Sequence, residues 1–312
     1  MSTIYTLTLN PVIDVHFALN GLEIGAENYT KSRVKFAAGK GVNISRVLKR
    51  HGVNAPAFVL LGSSDAELYL KMLEADDIDA VAHVVPGNIR EYVSLNDAAS
   101  GNETRVCYRD FSSDDKAVTE LGNLLAARLK PGDIVCVSGS LPSGVTPGAV
   151  ISLSALFRRR GALTAIDCAS MDPDSLRAAL PWLIKPNLRE AASLCGLRPD
   201  APLDPSIAAT LIPQLTSISP NVLLSLGPAG AVFASSPSGG TAPGSAPACL
   251  PAVPIEHCYS SVGAGDSLLA GFLYALISDG RCPPDGAIPY SSAGPALSAG
   301  LEFAAETCSE RR

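Results

Sequence analysis

Five short stretches combine glycines, small polar residues and a lone carboxylate or lysine in ways that could do chemistry. In "YSSVGAGDSLLAGF" (259–272), Gly263, Ala264 and Gly265 stand before Asp266, directly ahead of an apolar run. An aspartate there can cap a helix. It can also take a proton from a bound hydroxyl while nearby backbone N–H groups face an anion at the helix N-terminus. "AAGKGVN" (37–43) sets Lys40 between Gly39 and Gly41, with Asn43 two residues on. "KPNLRE" (185–190) puts Asn187 and Glu190 at i, i+3, a spacing that by itself favours a capping box. "VSGSLPSG" (137–144), with Ser138, ends a strand in small residues that suit the wall of a polar site. "NPVID" (10–14) places Asn10 and Asp14 after the first strand, where a carboxylate accepts sugar hydroxyls or simply sits solvated in a turn.

Neither glycine loop is a nucleotide fingerprint. No glycine stands five residues before Gly39 and no Ser or Thr follows Lys40, so "AAGKGVN" is not a P-loop. Leu268 replaces the third glycine of a dinucleotide motif, and the motif lies far from the first strand. Each stretch alone reads as an ordinary turn or cap.

The elements around them change that weighting. Strand-like runs at 4–9, 57–62, 133–139, 163–168, 182–187 and 222–227 alternate with helical runs at 41–51, 65–75, 114–129, 147–160 and 188–195. Such alternation predicts an α/β fold with a mostly parallel sheet and helices on both faces, its ligands gathered at the carboxyl ends of the strands. The five stretches fall at those ends. Residues 11–36 and 84–112 hold strand formers without a convincing helix, which predicts hairpins in a small accessory sheet. Residues 235–248 are low in complexity and read as an exposed loop. Beyond 280, Pro283, Pro284, Pro289 and Pro295 are expected to interrupt any helix.

Bulk properties exclude several classes. The 312 residues are 47% hydrophobic and 17% charged, a composition that folds rather than staying disordered. With a net charge of −6 and only Arg158–Arg160 as a basic run, nucleic acid is not an expected partner. The arginine run suits a helix C-terminus, where cations are favoured. Eight cysteines form no CxxC pair and are expected to be reduced thiols in a cytoplasmic protein. No signal peptide and no membrane span are legible.

In order and spacing, "NPVID", "AAGKGVN", "VSGSLPSGV", "WLIKPNLRE", "SLGPAGA" and "SSVGAGDSLLAGF" resemble the PfkB (ribokinase-like) carbohydrate kinases. The similarity runs from residue 10 to about 272 and is greatest to the branch that includes 1-phosphofructokinase and tagatose-6-phosphate kinase. It implies one kinase domain over 1–312, a ribokinase-like three-layer fold with a small β-sheet lid, and transfer from Mg-ATP to a sugar hydroxyl. Asp266 would be the general base, and Gly263, Ala264 and Gly265 an anion hole for the transferring phosphoryl group. Asp14, Gly39, Lys40, Gly41, Asn43, Arg90 and Ser138 would contact the sugar, Lys40 and Arg90 holding its existing phosphate. Lys185, Asn187, Ser225, Gly227 and Gly230 would face the nucleotide, with Asn187 and Glu190 organising Mg²⁺ through water. A nearby monovalent-cation site and a homodimer joined through the lid are further implications.

The expected reaction is fructose 1-phosphate to fructose 1,6-bisphosphate. Tagatose-6-phosphate kinase and 6-phosphofructokinase are the alternatives, and a catalytically weak sugar-phosphate or nucleotide-binding protein is the alternative of another class. Two departures favour that last reading. Glu91 follows Arg90, where it would repel a sugar phosphate unless turned away. The proline-bearing tail 289–303 stands where relatives have an alanine-rich helix.

Overall fold

The computed structural model describes residues 2–30, 32–108, 111–198, 204–236, 247–278 and 286–310. The first half holds β1 (Ile4–Thr8), β2 (Val12–Leu19), β3 (Ser32–Ala38), α1 (Lys40–Arg50), β4 (Ala57–Gly62), α2 (Ala66–Ala75), β5 (Ala80–Val85), β6 (Arg90–Asp97) and β7 (Asn102–Cys107). There follow α3 (Asp115–Ala126), β8 (Ile134–Ser138), α4 (Pro147–Arg159), β9 (Leu163–Asp167), α5 (Pro173–Ala179), β10 (Leu183–Ile184) and α6 (Leu188–Leu194). The last are α7 (Ala208–Thr216), β11 (Asn221–Ser225), β12 (Ala231–Ser235), β13 (Ala248–Leu250), α8 (Ala264–Ser278) and α9 (Tyr290–Ser309).

A nine-stranded sheet runs in the order β13-β12-β11-β10-β9-β8-β1-β4-β5. Strands β11 to β5 are mutually parallel, and β12 and β13 add an antiparallel edge. Parallel strands buried on both faces must be apolar throughout, which is why these runs were legible. Side-chain alternation then sorts the two faces. Tyr5, Leu7, Val135 and Val137 pack with α3, α4 and α7, whereas Ile4, Ile134 and Cys136 pack with α1, α8 and α9. This is the expected three-layer arrangement. The arginine run closes α4, with Arg160 as its C-cap.

The accessory sheet is four-stranded, in the order β3-β2-β6-β7. The expected segment 84–112 begins too early, since residues 84 and 85 end β5 at the edge of the large sheet. The small sheet takes its strands from 12–38 and 90–107. One face carries Ile13, Val15 and Ala37 into a core with Val42, Leu61 and Tyr69, and so seats the lid on α1, β4 and α2.

The proline expectation is corrected for the described part of the tail. Pro289 caps α9 and Pro295 lies inside it, yet the helix runs twenty residues. A proline in a helix removes one hydrogen bond to the carbonyl four residues back. Here Ser291 and Pro295 are both exposed, so the carbonyl that loses its partner lies on the solvent side of the helix. On the inner side small residues let α9 approach α8: a Cβ on Gly271 would meet the Ala299 carbonyl at 2.5 Å, and one on Gly300 the Leu268 carbonyl at 2.6 Å. Pro283, Pro284 and most of the 235–248 loop lie outside the described residues. So does Cys282; the other seven cysteines are free thiols.

Candidate active site

A cavity of about 620 Å³ opens where the lid faces the carboxyl ends of the large sheet, a size suited to a small-molecule site. The loops after β8, β9, β10 and β11, the starts of α1 and α8 and the polar face of the lid meet there. Of the expected residues, Asp14, Gly39, Lys40, Arg90, Lys185, Asn187, Glu190, Ser225, Gly227, Gly230, Gly263, Ala264, Gly265 and Asp266 all line it. Gly41, Asn43 and Ser138 do not. Gly41 packs against β1, where a Cβ would run into the Thr8 hydroxyl. Ser138 falls on the α1 side of β8, buried, and Gly139 and Ser140 line the cavity in its place.

Asp266 is the third residue of α8 rather than its cap. Its Oδ2 accepts a hydrogen bond from Asn43 Nδ2 at 2.8 Å, and Asn43 Oδ1 accepts from Arg46 Nη1 at 3.1 Å. Arg46 is anchored in turn on Asp76, its Nε donating at 2.9 Å. The first turns of α1 and α8 thus hold the carboxylate in place. Burial, and then the negative charge of Asp167, push its pKa up to about 6. A carboxylate so tuned can accept a proton near neutral pH. Beside it Gly263 takes a positive φ of 85°, a conformation that favours glycine. The Ala264 N–H already donates to the Ser261 carbonyl at 3.2 Å, which leaves the N–H groups of Gly263 and Gly265 as the better placed anion donors of the expected three.

Facing Asp266 is a cluster of charges that sequence reasoning reached only in part. Asp167, fully buried at the end of β9, takes Lys40 Nζ at 2.8 Å on one oxygen and Lys185 Nζ at 3.0 Å on the other. Burial alone would raise the Asp167 pKa, but the two ammonium groups outweigh it and hold the carboxyl below its usual range. Burial likewise opposes the charge on Lys40; Asp167 and Glu190, the latter at 3.8 Å, overcome it and keep the amine protonated. Lys40 is therefore turned toward the Asp167 cluster. The capping box expected from "KPNLRE" is present: Asn187 Oδ1 accepts from the Glu190 N–H and Glu190 Oε2 from the Asn187 N–H, each at 2.9 Å. It coexists with a place in the cavity wall.

On the lid, Arg90 donates to the Asn10 carbonyl at 2.7 Å, the Pro11 carbonyl at 3.0 Å and Tyr92 Oη at 2.8 Å. The guanidinium groups of Arg90 and Arg105 flank the Tyr92 ring at 5.0 and 5.4 Å. Arg105 also reaches Asp14 at 3.2 Å. Strand alternation turns Glu91 to the opposite face, where it pairs with Lys35 at 3.3 Å. The expected repulsion therefore does not arise. Arg105, Tyr92 and Ser140 were missed by sequence reasoning. Arg105 sits in the polar run "NETRVCYRD", where nothing distinguishes it from an exposed edge strand.

A buried carboxylate, an N–H-rich helix start and two lysines about a shared aspartate suit transfer of an anionic group to a hydroxyl. The comparisons with known proteins carry this further. A family model described as "pfkB family carbohydrate kinase" matches residues 8–306, and the chain belongs to that family. It is 32% identical to the 1-phosphofructokinase of Escherichia coli K12 over 279 residues, 87% of this chain and 83% of that one. It is 26% identical to a tagatose-6-phosphate kinase of Staphylococcus epidermidis over 276 residues, 88% of this chain and 85% of that one. Among solved structures, phosphofructokinase-2 from Escherichia coli in complex with fructose-6-phosphate superposes with a TM-score of 0.80 at 21% identity. It covers 96% of this chain and 93% of that one. The same enzyme is known with potassium and in a tetrameric inhibited form. Among the described residues no helix is long and apolar enough to cross a membrane.

Proposed function

We propose that the chain transfers the γ-phosphoryl group of ATP to the primary hydroxyl of a ketohexose monophosphate. The reading is carried by Asp266, a buried carboxylate with its pKa raised to about 6 at the first turn of α8. In it the whole chain works as one kinase unit, the lid strands of 12–38 and 90–107 covering the acceptor. Asp266 takes the acceptor proton. The N–H groups of Gly263 and Gly265 and the Lys40 ammonium neutralise charge on the moving phosphoryl group; transfer of this kind depends on positioning and charge more than on covalent help. Asp14 receives sugar hydroxyls, and Arg90 and Arg105 hold the acceptor's own phosphate. Lys185, Ser225, Gly227 and Gly230 face the nucleotide, with Leu301 and Ala304 of α9 as an apolar wall for the base.

Among the described residues no three His, Cys, Asp or Glu side chains gather as a metal cage. Mg²⁺ does not need one, since it keeps several waters and takes few protein ligands beside substrate phosphates. Asn187 and Glu190, at the cavity wall with part of Glu190 engaged in the cap, fit such a hydrated ion. When bound, the ion would neutralise phosphate charge. The two features that pointed to a binding-only protein are absent: Glu91 faces away from the cavity, and α9 is formed.

The acceptor class is broader than the fructose 1-phosphate first expected. Fructose 1-phosphate and fructose 6-phosphate present a phosphate and a primary hydroxyl at opposite ends of the same furanose ring, and tagatose 6-phosphate is an epimer of the latter. A site that grips one end and activates the other accepts this whole class. Release of ADP measured with each of the three, and with free fructose, tests the reading, repeated with and without Mg²⁺ and K⁺. At least one phosphosugar should turn over well above free fructose, and only with Mg²⁺. No turnover with any of them, alongside clear binding, would sink it. A homodimer through the lid is part of the same reading, supported by Tyr29, Val34 and Val106, which are exposed on it. Sedimentation at micromolar concentration should show a species of at least twice the chain mass; a monomer would remove it.

A further inference from the structure

We infer that His16 is a positioning residue for Asp14, holding that carboxylate in the orientation in which it receives the sugar. The inference rests on the reading of Asp14 as a sugar-hydroxyl acceptor. Asp14 and His16 are i, i+2 on β2 and so share the face of the lid that looks into the cavity. Both side chains are almost wholly buried, at 4% and 6% exposure, and His16 Nε2 lies 3.4 Å from Asp14 Oδ1. Asn96 on β6 approaches the other ring nitrogen, Nδ1, with its Nδ2 at 3.3 Å. An amide nitrogen is only a donor, so Nδ1 must accept, and the neutral ring then carries its proton on Nε2. The carboxylate oxygen beside that nitrogen is Asp14 Oδ1, 3.4 Å away and short of hydrogen-bond geometry in the ligand-free site. Nε2 is buried and has no formed hydrogen bond among the described residues, so the carboxylate is the group on hand to receive it. Phe36 packs against the imidazole with ring centroids 5.2 Å apart and limits its motion.

The arrangement has a function because Asp14 is pulled from one side only by strong means. Arg105 Nη2 reaches both of its oxygens, at 3.2 and 3.3 Å. Alone, that attraction would draw the carboxylate along the lid toward β7. His16 offers a second donor to Oδ1 from along β2 itself, crosswise to the pull from β7, so that the carboxylate is fixed from two directions and stays aimed into the cavity. In the ligand-free geometry the contact is long; catalytic and binding hydrogen bonds commonly tighten only when the substrate arrives.

The test is steady-state kinetics on three variants of the full chain, with the best phosphosugar of the panel and ATP varied separately. His16→Leu, which keeps apolar bulk but removes the donor, should raise the acceptor KM about tenfold, the scale of a hydrogen bond to a charged group. Its kcat and its KM for ATP should stay near those of the parent. His16→Gln places an amide N–H near Nε2 and should restore most of the loss, whereas a merely structural role would not discriminate between the two. Asp14→Asn separates this inference from the reading beneath it. If Asp14→Asn leaves the acceptor KM unchanged, the sugar role of Asp14 fails. If Asp14→Asn raises it and His16→Leu does not, the role of His16 fails. A rise in the KM for ATP equal to that for the acceptor, or no rescue by His16→Gln, would also overturn it. Should His16→Leu not fold, Asn96→Leu serves as the second probe: it frees the ring tautomer and should raise the acceptor KM alone, and an unchanged value would count against the inference.

Discussion

Asp266→Asn should lower kcat by about 10³–10⁴-fold, toward the upper end of what a positioned general base contributes, while the acceptor still binds. The substitution keeps an oxygen to accept from Asn43 and keeps the volume, so the loss reports the missing base rather than a collapsed site. The parent enzyme should lose kcat as pH falls through about 6, because protonating Asp266 removes the base. Stability should move the other way. The carboxyl pKa is 3.8 in the unfolded reference and about 6 in the fold, so between those values the folded state holds a proton that the unfolded chain has released. Stability contributed at this position is therefore greatest below pH 3.8 and is lost as pH rises to about 6. Asparagine never carries the buried charge, so at neutral pH the variant should be more stable by ~1–3 kcal/mol. Thermal unfolding read beside turnover checks both. Near-parental kcat would remove Asp266 as the base, and a lower Tm at neutral pH would refute the cost of its burial.

Lys40→Met should have the second largest effect, lowering kcat/KM by about 10²–10³-fold, the scale of removing one donor from a preorganised anion site. The substitution leaves Asp167 with Lys185 as its remaining ammonium partner and takes one positive charge from the cavity. Its second consequence is more diagnostic. Lys40 is one of the charges that hold the Asp266 pKa down against burial and Asp167. Without it that pKa rises further, and the acid limb of the pH–kcat profile should move to higher pH. Lost activity with an unmoved limb would mean that Lys40 acts on the substrate without the electrostatic coupling to Asp266.

Much of the fold was legible because parallel strands buried on both faces must be apolar along their whole length, and the helices between them must show a one-sided pattern. "AFVLLG" and "DIVCVSG" could hardly be anything else. The edge strands β12 and β13 and the short helices α5 and α7 carry weaker patterns, and were not read. The tail was misread because a proline was weighed by its own preference. Pro295 lies on the exposed side of α9, and the Gly271–Gly300 approach seats the opposite side on α8, a contact across the chain that outweighs the local preference of one proline.

The site divides along the same line. Sequence by itself determined which residues could do chemistry, since carboxylates, lysines and glycine turns at strand ends are local features. It also determined the capping box of Asn187 and Glu190, whose two partners lie three residues apart. What it could not determine were relations across the chain. Asn43 lies 223 residues from the Asp266 that it holds, and Lys40 lies 127 from the Asp167 that turns it. Strand alternation on the lid settled that Glu91 faces out while Asp14, His16, Tyr92 and Arg105 share the inner face, because pairing register exists only once strands meet. The pKa of Asp266 belongs wholly to the tertiary structure. A carboxylate's affinity for a proton is set by the water removed from it and the charges brought near it, and neither is written in its neighbours along the chain.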